Sequence, residues 1–148
     1  MERPSGVAPP LSPGAVTRSH GLDGSPLGIA IGSAPEGVHV IELVGELDLG
    51  TIPKLEPRLF KALRAHDAVV MDLSRLSFID SSGIGLLIEA HRAGNGRRKL
   101  HTIVSPGSQA ARVFAIAGID RVLRIFFDRD QAISPLARRP GSKGRRAA

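Results

Sequence analysis

Short apolar runs alternate with helix-spaced segments through the middle of this chain, and that alternation leaves few folds open. Residues 38–44, 68–73, 100–104 and 122–127 read as strands. Between them Leu55, Leu59, Phe60 and Leu63 recur at helical spacing, then Ile84, Leu87, Ile88 and His91, then Ala110, Val113, Phe114 and Ala117. Strands and helices taking turns imply a mostly parallel sheet with right-handed crossovers. A weaker strand at 27–31, followed by a turn at 32–37, adds an antiparallel partner at the N-terminal edge. The expected fold is a single α/β domain over residues 27–133, with a sheet of four to five strands and about four helices.

Local signals sharpen the boundaries. In 38–44, Val38, Val40, Glu42 and Val44 share one face, and His39, Ile41 and Leu43 share the other. The run 68–73 is apolar almost throughout, as a strand covered on both faces should be. Thr51 can cap the first helix. Pro57 lacks the N–H that a helix interior needs, so that helix either begins late, with Pro57 in its first turn, or kinks there. Gly94-Asn95-Gly96 stops the second helix, and a basic turn at Arg97, Arg98 and Lys99 follows. Ser105 and Pro106 read as a cap and first position of the third helix, which Gly118 closes. Asp128 to Ile133 starts a short terminal helix that Pro135 cuts off.

The flanks differ from this core. Residues 1–26 hold Pro4, Pro9, Pro10, Pro13 and Pro26 among Gly, Ser and Ala, with no apolar period to offset their chain entropy, and are expected to be disordered. The net charge of +6 resembles a nucleic-acid signal until it is located. Residues 36–133 carry 13 Lys and Arg against 12 Asp and Glu, whereas 134–148 carry Arg138, Arg139, Lys143, Arg145 and Arg146 with no acid. The excess belongs to a basic C-terminal tail, expected to be disordered, and no direct nucleic-acid partner is indicated for the folded part. Cysteine is absent, which excludes disulfides and thiolate metal sites and suits a reducing compartment. No apolar run approaches a membrane span, and the first residues lack the pattern of a signal peptide. The chain reads as cytoplasmic, with no membrane partner.

Enzyme templates find little purchase. Neither Ser81 nor Ser82 sits in Gly-x-Ser-x-Gly, the five histidines show no metal-ligand spacing, and no glycine-rich segment matches a phosphate loop or dinucleotide fingerprint. A non-enzyme without cofactors is expected. Attention falls instead on Phe78-Ile79-Asp80-Ser81-Ser82-Gly83-Ile84-Gly85-Leu86-Leu87, where a strand becomes a helix N-terminus. Asp and Ser there could simply cap the helix, or one hydroxyl could be meant for another molecule. The loop follows the C-terminal end of a parallel strand, where open α/β sheets place their sites.

Gly45-Glu46-Leu47-Asp48 followed by Phe78-Ile79-Asp80-Ser81-Ser82-Gly83 resembles the STAS domain of bacterial anti-sigma factor antagonists, with Val104-Ser105-Pro106 and Ala117-Gly118-Ile119 also in place. The resemblance spans about residues 36–133. It implies an antagonist whose unmodified form binds an anti-sigma factor that is itself a serine kinase and so releases a sigma factor. Phosphorylation of Ser81 would end that binding and a phosphoserine phosphatase would restore it. Asp80 matches the residue beside the phosphoacceptor, and Asp48 a residue in the neighbouring loop. Pro57 and the Arg97, Arg98 turn depart from the family pattern, and the latter could alter partner choice.

The residues suggest how such a switch would work. A phosphate brings about −1.5 to −2 charges, which a helix N-terminus tolerates, so disruption should lie at the partner surface. Asp80 adds like charge there, Ser82 adjoins it, and Gly83 and Gly85 let a partner approach the backbone. Leu86 points away from the Ile84, Leu87, Ile88 stripe, either to an exposed apolar contact or to a second buried face. Two other readings stand beside this one: a phosphorylatable scaffold subunit of a larger STAS assembly, and a nucleic-acid or anionic-surface binder using its basic tail.

Overall fold

The computed structural model describes residues 17–18, 25–94 and 99–137. In chain order the elements are β1 (Thr17–Arg18), β2 (Leu27–Ser33), β3 (His39–Leu47), α1 (Ile52–Ala65), β4 (Ala68–Ile79), α2 (Ser81–Gly94), β5 (Lys99–Ile103), α3 (Gln109–Ala117), β6 (Arg124–Phe126) and α4 (Arg129–Ile133). They form one sheet in the order β1-β2-β3-β4-β5-β6. The pairs β1–β2 and β2–β3 are antiparallel, and β3 to β6 pair in parallel. The mostly parallel sheet with an antiparallel N-terminal flank is therefore borne out, with a two-residue edge strand added. Among the described residues no helix is long and apolar enough to cross a membrane.

The strand order explains the layering. From β3 to β6 each crossover steps to the next position in the same direction, and right-handed crossovers of that kind put their helices on one face. Residues of α1, α2 and α3, among them Leu55, Leu59, Leu87, Ala90 and Phe114, pack there with Ile41, Leu43, Met71 and Leu73. The opposite face is covered by α4, where Ala132 and Ile133 meet Val38, Val40, Val70 and Ile103. The alternation through 38–43 divides as its sequence pattern required: Ile41 and Leu43 in the larger core, Val40 and Val38 just ahead of β3 in the smaller.

Several boundaries move, each for a physical reason. β4 runs to Ile79, well past residue 73, because β3 continues through Gly45 and Leu47 and supplies a partner, with register shifts between Glu42 and Val44 and between Gly45 and Glu46. α1 starts at Ile52 with Pro53 in its first turn and carries the exposed Pro57 inside, so the late start is corrected. Thr51 does not cap by its side chain. α3 begins at Gln109, capped by Ser108, whose hydroxyl accepts from the Ala111 N–H at 3.1 Å. Ser105 and Pro106 precede a turn in which Gly107 takes φ 77°, and the Ser105 hydroxyl donates to the Ser74 carbonyl at 2.8 Å. The last strand shrinks to Arg124–Phe126 because Gly118, at φ 69°, turns the chain into a 3-10 helix over Ile119–Arg121. A second 3-10 helix, Ser134–Leu136, holds Pro135 and follows directly on α4. Thr17 and Arg18 form a strand within a segment expected to be disordered. The rest of 1–24, the turn residues Asn95 to Arg98 and the basic residues from Arg138 onward lie outside the described residues.

Two polar arrangements lie away from the larger core. Arg129 at the start of α4 donates from Nη2 to Glu42 at 2.6 Å and to Asp72 at 2.8 Å, acids that face each other across the β3–β4 register. Burial would lower the Arg129 pKa, but the hydrogen bonds and charges of Asp72 and Glu42 outweigh it and raise it. At the N-terminal end of β3, His39 stacks on His66 with ring centroids 4.0 Å apart. Burial, and then the His66 charge, push the His39 pKa down to about 4. The unfolded chain thus binds a proton near pH 6.5 that the fold excludes until about pH 4. Stability should rise with pH across that window, by about 1 kcal/mol once solvent screening of a half-buried ring is allowed for. Denaturant melts from pH 4 to 7 should show this slope, and His39→Leu should flatten it. An unchanged slope in the variant would remove His39 as its source.

Candidate functional site

The parallel pair β3 and β4 ends in two loops that meet, and Asp80 is the tie between them. Its N–H donates to the Leu47 carbonyl at 3.2 Å, carrying the ladder one residue past β4. Its carboxylate is divided. Oδ1 accepts from the Gly83 N–H at 3.1 Å, and Oδ2 accepts from the Leu49 N–H at 3.3 Å. The first bond caps α2, and the second holds the β3–α1 loop against it.

Asp48 organises that loop from within. Its Oδ1 accepts from the N–H groups of Gly50 at 3.0 Å and Thr51 at 3.1 Å, while its own N–H donates to the Thr51 hydroxyl oxygen at 3.0 Å. The exchange is the reciprocal pattern of a capping box, with aspartate in the leading position. Thr51, buried, donates its hydroxyl to the Glu46 carbonyl at 2.9 Å. The Gly-Glu-Leu-Asp run thus has separable parts. Gly45 turns the chain at φ 106°, Leu47 fills the core, and Asp48 fixes the loop.

Because Asp80 supplies the cap, Ser81 is left over. It is the first residue of α2, exposed, and its hydroxyl has no hydrogen-bond partner among the described residues. Helix geometry leaves the N–H groups of Ser81 and Ser82 without intrahelical acceptors. A phosphoryl group on Ser81 would therefore find free donors and the positive end of a 14-residue helix at its root. Ser82 is half-buried beside it.

The two glycines divide. Gly85 is exposed, and a Cβ there would touch nothing, so a partner can reach the backbone at that point. Gly83 is buried; a Cβ would come to 2.8 Å from Ile79 Cγ1 and 2.9 Å from Leu47 Cγ. Its role as an opening for a partner is corrected to one of packing, letting α2 seat on β3 and β4. Leu86 is likewise corrected as an exposed contact, since it is 4% exposed within the larger core. The apolar surface near Ser81 comes from residues the sequence pattern did not single out. Leu49, whose N–H is held by Asp80, is 73% exposed, and Phe78, two residues before Asp80, is 41% exposed.

One more side chain reaches this corner from far along the chain. Gln109 accepts from the Ile79 N–H at 2.9 Å through Oε1 and donates to the Ile79 carbonyl at 3.0 Å through Nε2. Nothing in the local pattern around Gln109 announces it; only its place at the start of a helix that packs on β4 brings it there. Among the described residues no group of three His, Asp or Glu side chains is placed to hold a metal ion.

A family model for the STAS domain matches residues 33–132, which takes in both loops, α1 to α3, every parallel strand and α4 but for its last residue. The chain belongs to the STAS domain family. Among curated relatives of this STAS domain, the anti-sigma-B factor antagonist of Staphylococcus epidermidis is 31% identical over 87 residues, spanning 57% of this chain and 80% of that protein. An anti-sigma factor antagonist from Mycobacterium paratuberculosis superposes with a TM-score of 0.66 at 20% identity, covering 84% of this chain and 97% of that one, a likeness of fold. The phosphorylated form of the Bacillus cell fate determinant SpoIIAA matches with a TM-score of 0.52 at 26% identity, covering 73% of this chain and 98% of that one.

Proposed function

We propose that this STAS domain is an anti-sigma factor antagonist, switched by phosphorylation of Ser81. Its unmodified form binds an anti-sigma factor that is also a serine kinase and thereby frees a sigma factor. Phosphorylation by that kinase ends the binding, and a phosphoserine phosphatase resets it. The observation that carries the reading is the division of labour at the head of α2. Asp80 performs the capping, so the exposed hydroxyl of Ser81 is spared for chemistry at a position where backbone donors suit a phosphate. Relatives named as anti-sigma-B and anti-sigma F factor antagonists support the class of partner. A neighbour known in a phosphorylated form supports the class of modification.

In this scheme the unmodified surface offers Leu49 and Phe78 as apolar contacts, Gly85 as an open backbone and Asp48 and Asp80 as rigid supports. Phosphate at Ser81 would place about two negative charges beside the Asp80 carboxylate and in the middle of that surface. Desolvating such a cluster against a partner is costly, whereas the helix N-terminus keeps it benign within the fold.

The test is a pair of variants presented to the anti-sigma kinase from the same cell. Ser81→Ala should take up no phosphate from ATP and keep its affinity. Ser81→Glu should bind at least about 30-fold more weakly, the effect of a charge left unpaired in an interface, with an unchanged circular dichroism spectrum. Phosphate mapped to another residue would remove Ser81 as the acceptor. Collapse of the fold in Ser81→Ala would mean that the hydroxyl serves the structure.

A further inference from the structure

β4 outruns its neighbour on one side. Its pairing with β5 ends at Asp72 and Ile103, while its pairing with β3 continues to Leu47 and Ile79. Past Asp72, among the described residues, no strand pairs with the side of β4 that faces β5. Ile79 is the last residue of that overhang, buried, and directly precedes Asp80 and Ser81. On the β3 side the corner is fixed by the Asp80 N–H donating to the Leu47 carbonyl. On the β5 side it is fixed by a side chain, the carboxamide of Gln109.

A primary amide presents one acceptor and one donor in a plane, spaced much as a peptide unit spaces its own. Gln109 uses both on one residue, at 2.9 and 3.0 Å, and so stands in for the missing strand. The bonds close only because the start of α3 is itself fixed. The Ser108 hydroxyl caps it, and Ala110 and Phe114 anchor it in the larger core. Without Gln109, the Ile79 N–H and carbonyl would lose both partners in a partly buried place, and the residue leading into Ser81 would be held from one side alone.

We propose that Gln109 is the positioning residue of the Ser81 site, its carboxamide acting as a one-residue strand that fixes how Asp80 and Ser81 are presented to kinase and anti-sigma factor. The inference rests on the reading of Ser81 as phosphoacceptor, but its structural half can be tested apart from that reading. Q109M keeps the length of the side chain and removes both polar atoms. Q109E keeps the shape and the acceptor, but as a carboxylate it cannot donate to the Ile79 carbonyl; protonation in mild acid returns a donor.

The experiment follows the full chain and both variants by amide hydrogen exchange, by amide NMR shifts, and by phosphoryl transfer from ATP in the cell extract that modifies the wild type, read by mass spectrometry. In Q109M the Ile79 amide should exchange about tenfold faster than in wild type, the consequence of losing its acceptor, while Val70 and Met71 in the same strand stay protected. The Asp80, Ser81 and Ser82 amide shifts should move, and Ser81 modification should slow by about tenfold, the sensitivity expected when a reacting group is misplaced. Q109E keeps the acceptor for the Ile79 N–H, so Ile79 protection should stay nearer to wild type than in Q109M, while its carboxylate against the Ile79 carbonyl should displace the Asp80 and Ser81 shifts at pH 7 and let them return towards pH 4.

Unchanged Ile79 exchange and Ser81 shifts in Q109M would overturn the proposal. Faster exchange spread evenly along β4 would also overturn it, because that pattern belongs to general destabilisation. Altered exchange with an unaltered rate of modification would remove the positioning role as well. If the wild type takes no phosphate on Ser81, the functional reading falls, and the exchange and shift data still decide whether Gln109 holds this corner.

Discussion

Arg129→Met should lower the stability of the domain by about 3–5 kcal/mol, the cost of leaving buried charge without its counter-ion. The side chains of Glu42 and Asp72 are only 8% and 4% exposed, and a single guanidinium nitrogen serves both. Removing it strands two carboxylates that face each other across adjacent strands. Asp72 keeps one pair of local donors, since its Oδ1 accepts from the Ser74 N–H at 2.9 Å and the Ser74 hydroxyl at 2.6 Å. Among the described residues the Glu42 carboxylate has the Arg129 bond alone, so Glu42→Gln in the Arg129→Met background should recover part of the loss. Chemical denaturation of the single and double variants at pH 7 measures both the loss and its recovery. An Arg129→Met protein as stable as wild type would show that α4 is held by Ala132 and Ile133 alone. The loss should stay on the α4 face, leaving the Ser81 loops on the other side of the sheet as the last part to be disturbed.

How much of this was legible in the sequence depends on whether the cause was local. The alternation of strands and helices is a local pattern repeated several times, and it led to the mostly parallel sheet and, around β3, to the division between cores. The second half of β4 was not legible. Ser74, Arg75 and Ser77 interrupt the apolar run, and what makes these residues a strand is the continuation of β3 beside them. The start of α3 misled for a related reason. Ser105 and Pro106 form a plausible cap in isolation, but Gly107 takes a left-handed backbone and the Ser105 hydroxyl is drawn to Ser74. Pro57 illustrates the limit of propensity, since α1 runs through it with Leu55 and Leu59 buried on either side.

The site shows the same division. Asp80 and Ser81 stand out in sequence, because an aspartate and serines at the head of an apolar helix are a local signal. Which of them caps was decided by the geometry, and the answer frees Ser81. The functions of Gly83 and Leu86 could not be separated from the pattern, since a glycine that admits a partner and one that admits a neighbouring leucine look alike in a string. Gln109 and Arg129 act over sequence separations of 30, 57 and 87 residues, and neither belongs to a local motif. The exposure of Leu49 and Phe78 has no local signal, because an apolar residue in a loop or at a strand end reads the same whether it is buried or open.

Gly45→Ala should be the most damaging single change on the β3 side of the site. The residue holds φ 106°, a conformation that costs a side-chain-bearing residue about 1–3 kcal/mol. There is also no room, because a Cβ would run into the carbonyl oxygen of Pro26 and lie 3.1 Å from its carbon. That carbonyl is not free to withdraw, since it accepts from the Glu46 N–H at 3.0 Å and sits where β2 begins to pair. Relieving the clash therefore means breaking the hydrogen bond, shifting the start of β2, or both, and the total should reach about 3–5 kcal/mol when strain, overpacking and the lost bond are taken together. A melting temperature roughly 15 °C lower is the expected result for a domain of this size. The functional consequence follows from the chain direction. Leu47 packs under Gly83, and Asp48 sets the loop whose Leu49 N–H reaches Asp80, so a displaced Gly45 loosens the support of Ser81 from the side opposite Gln109. Hydrogen exchange should show the Leu49 amide opening along with that of Glu46. If instead the variant melts within a few degrees of wild type, β2 can move away from Gly45 at little cost, and the opening glycine of Gly-Glu-Leu-Asp is not what holds the loop in place.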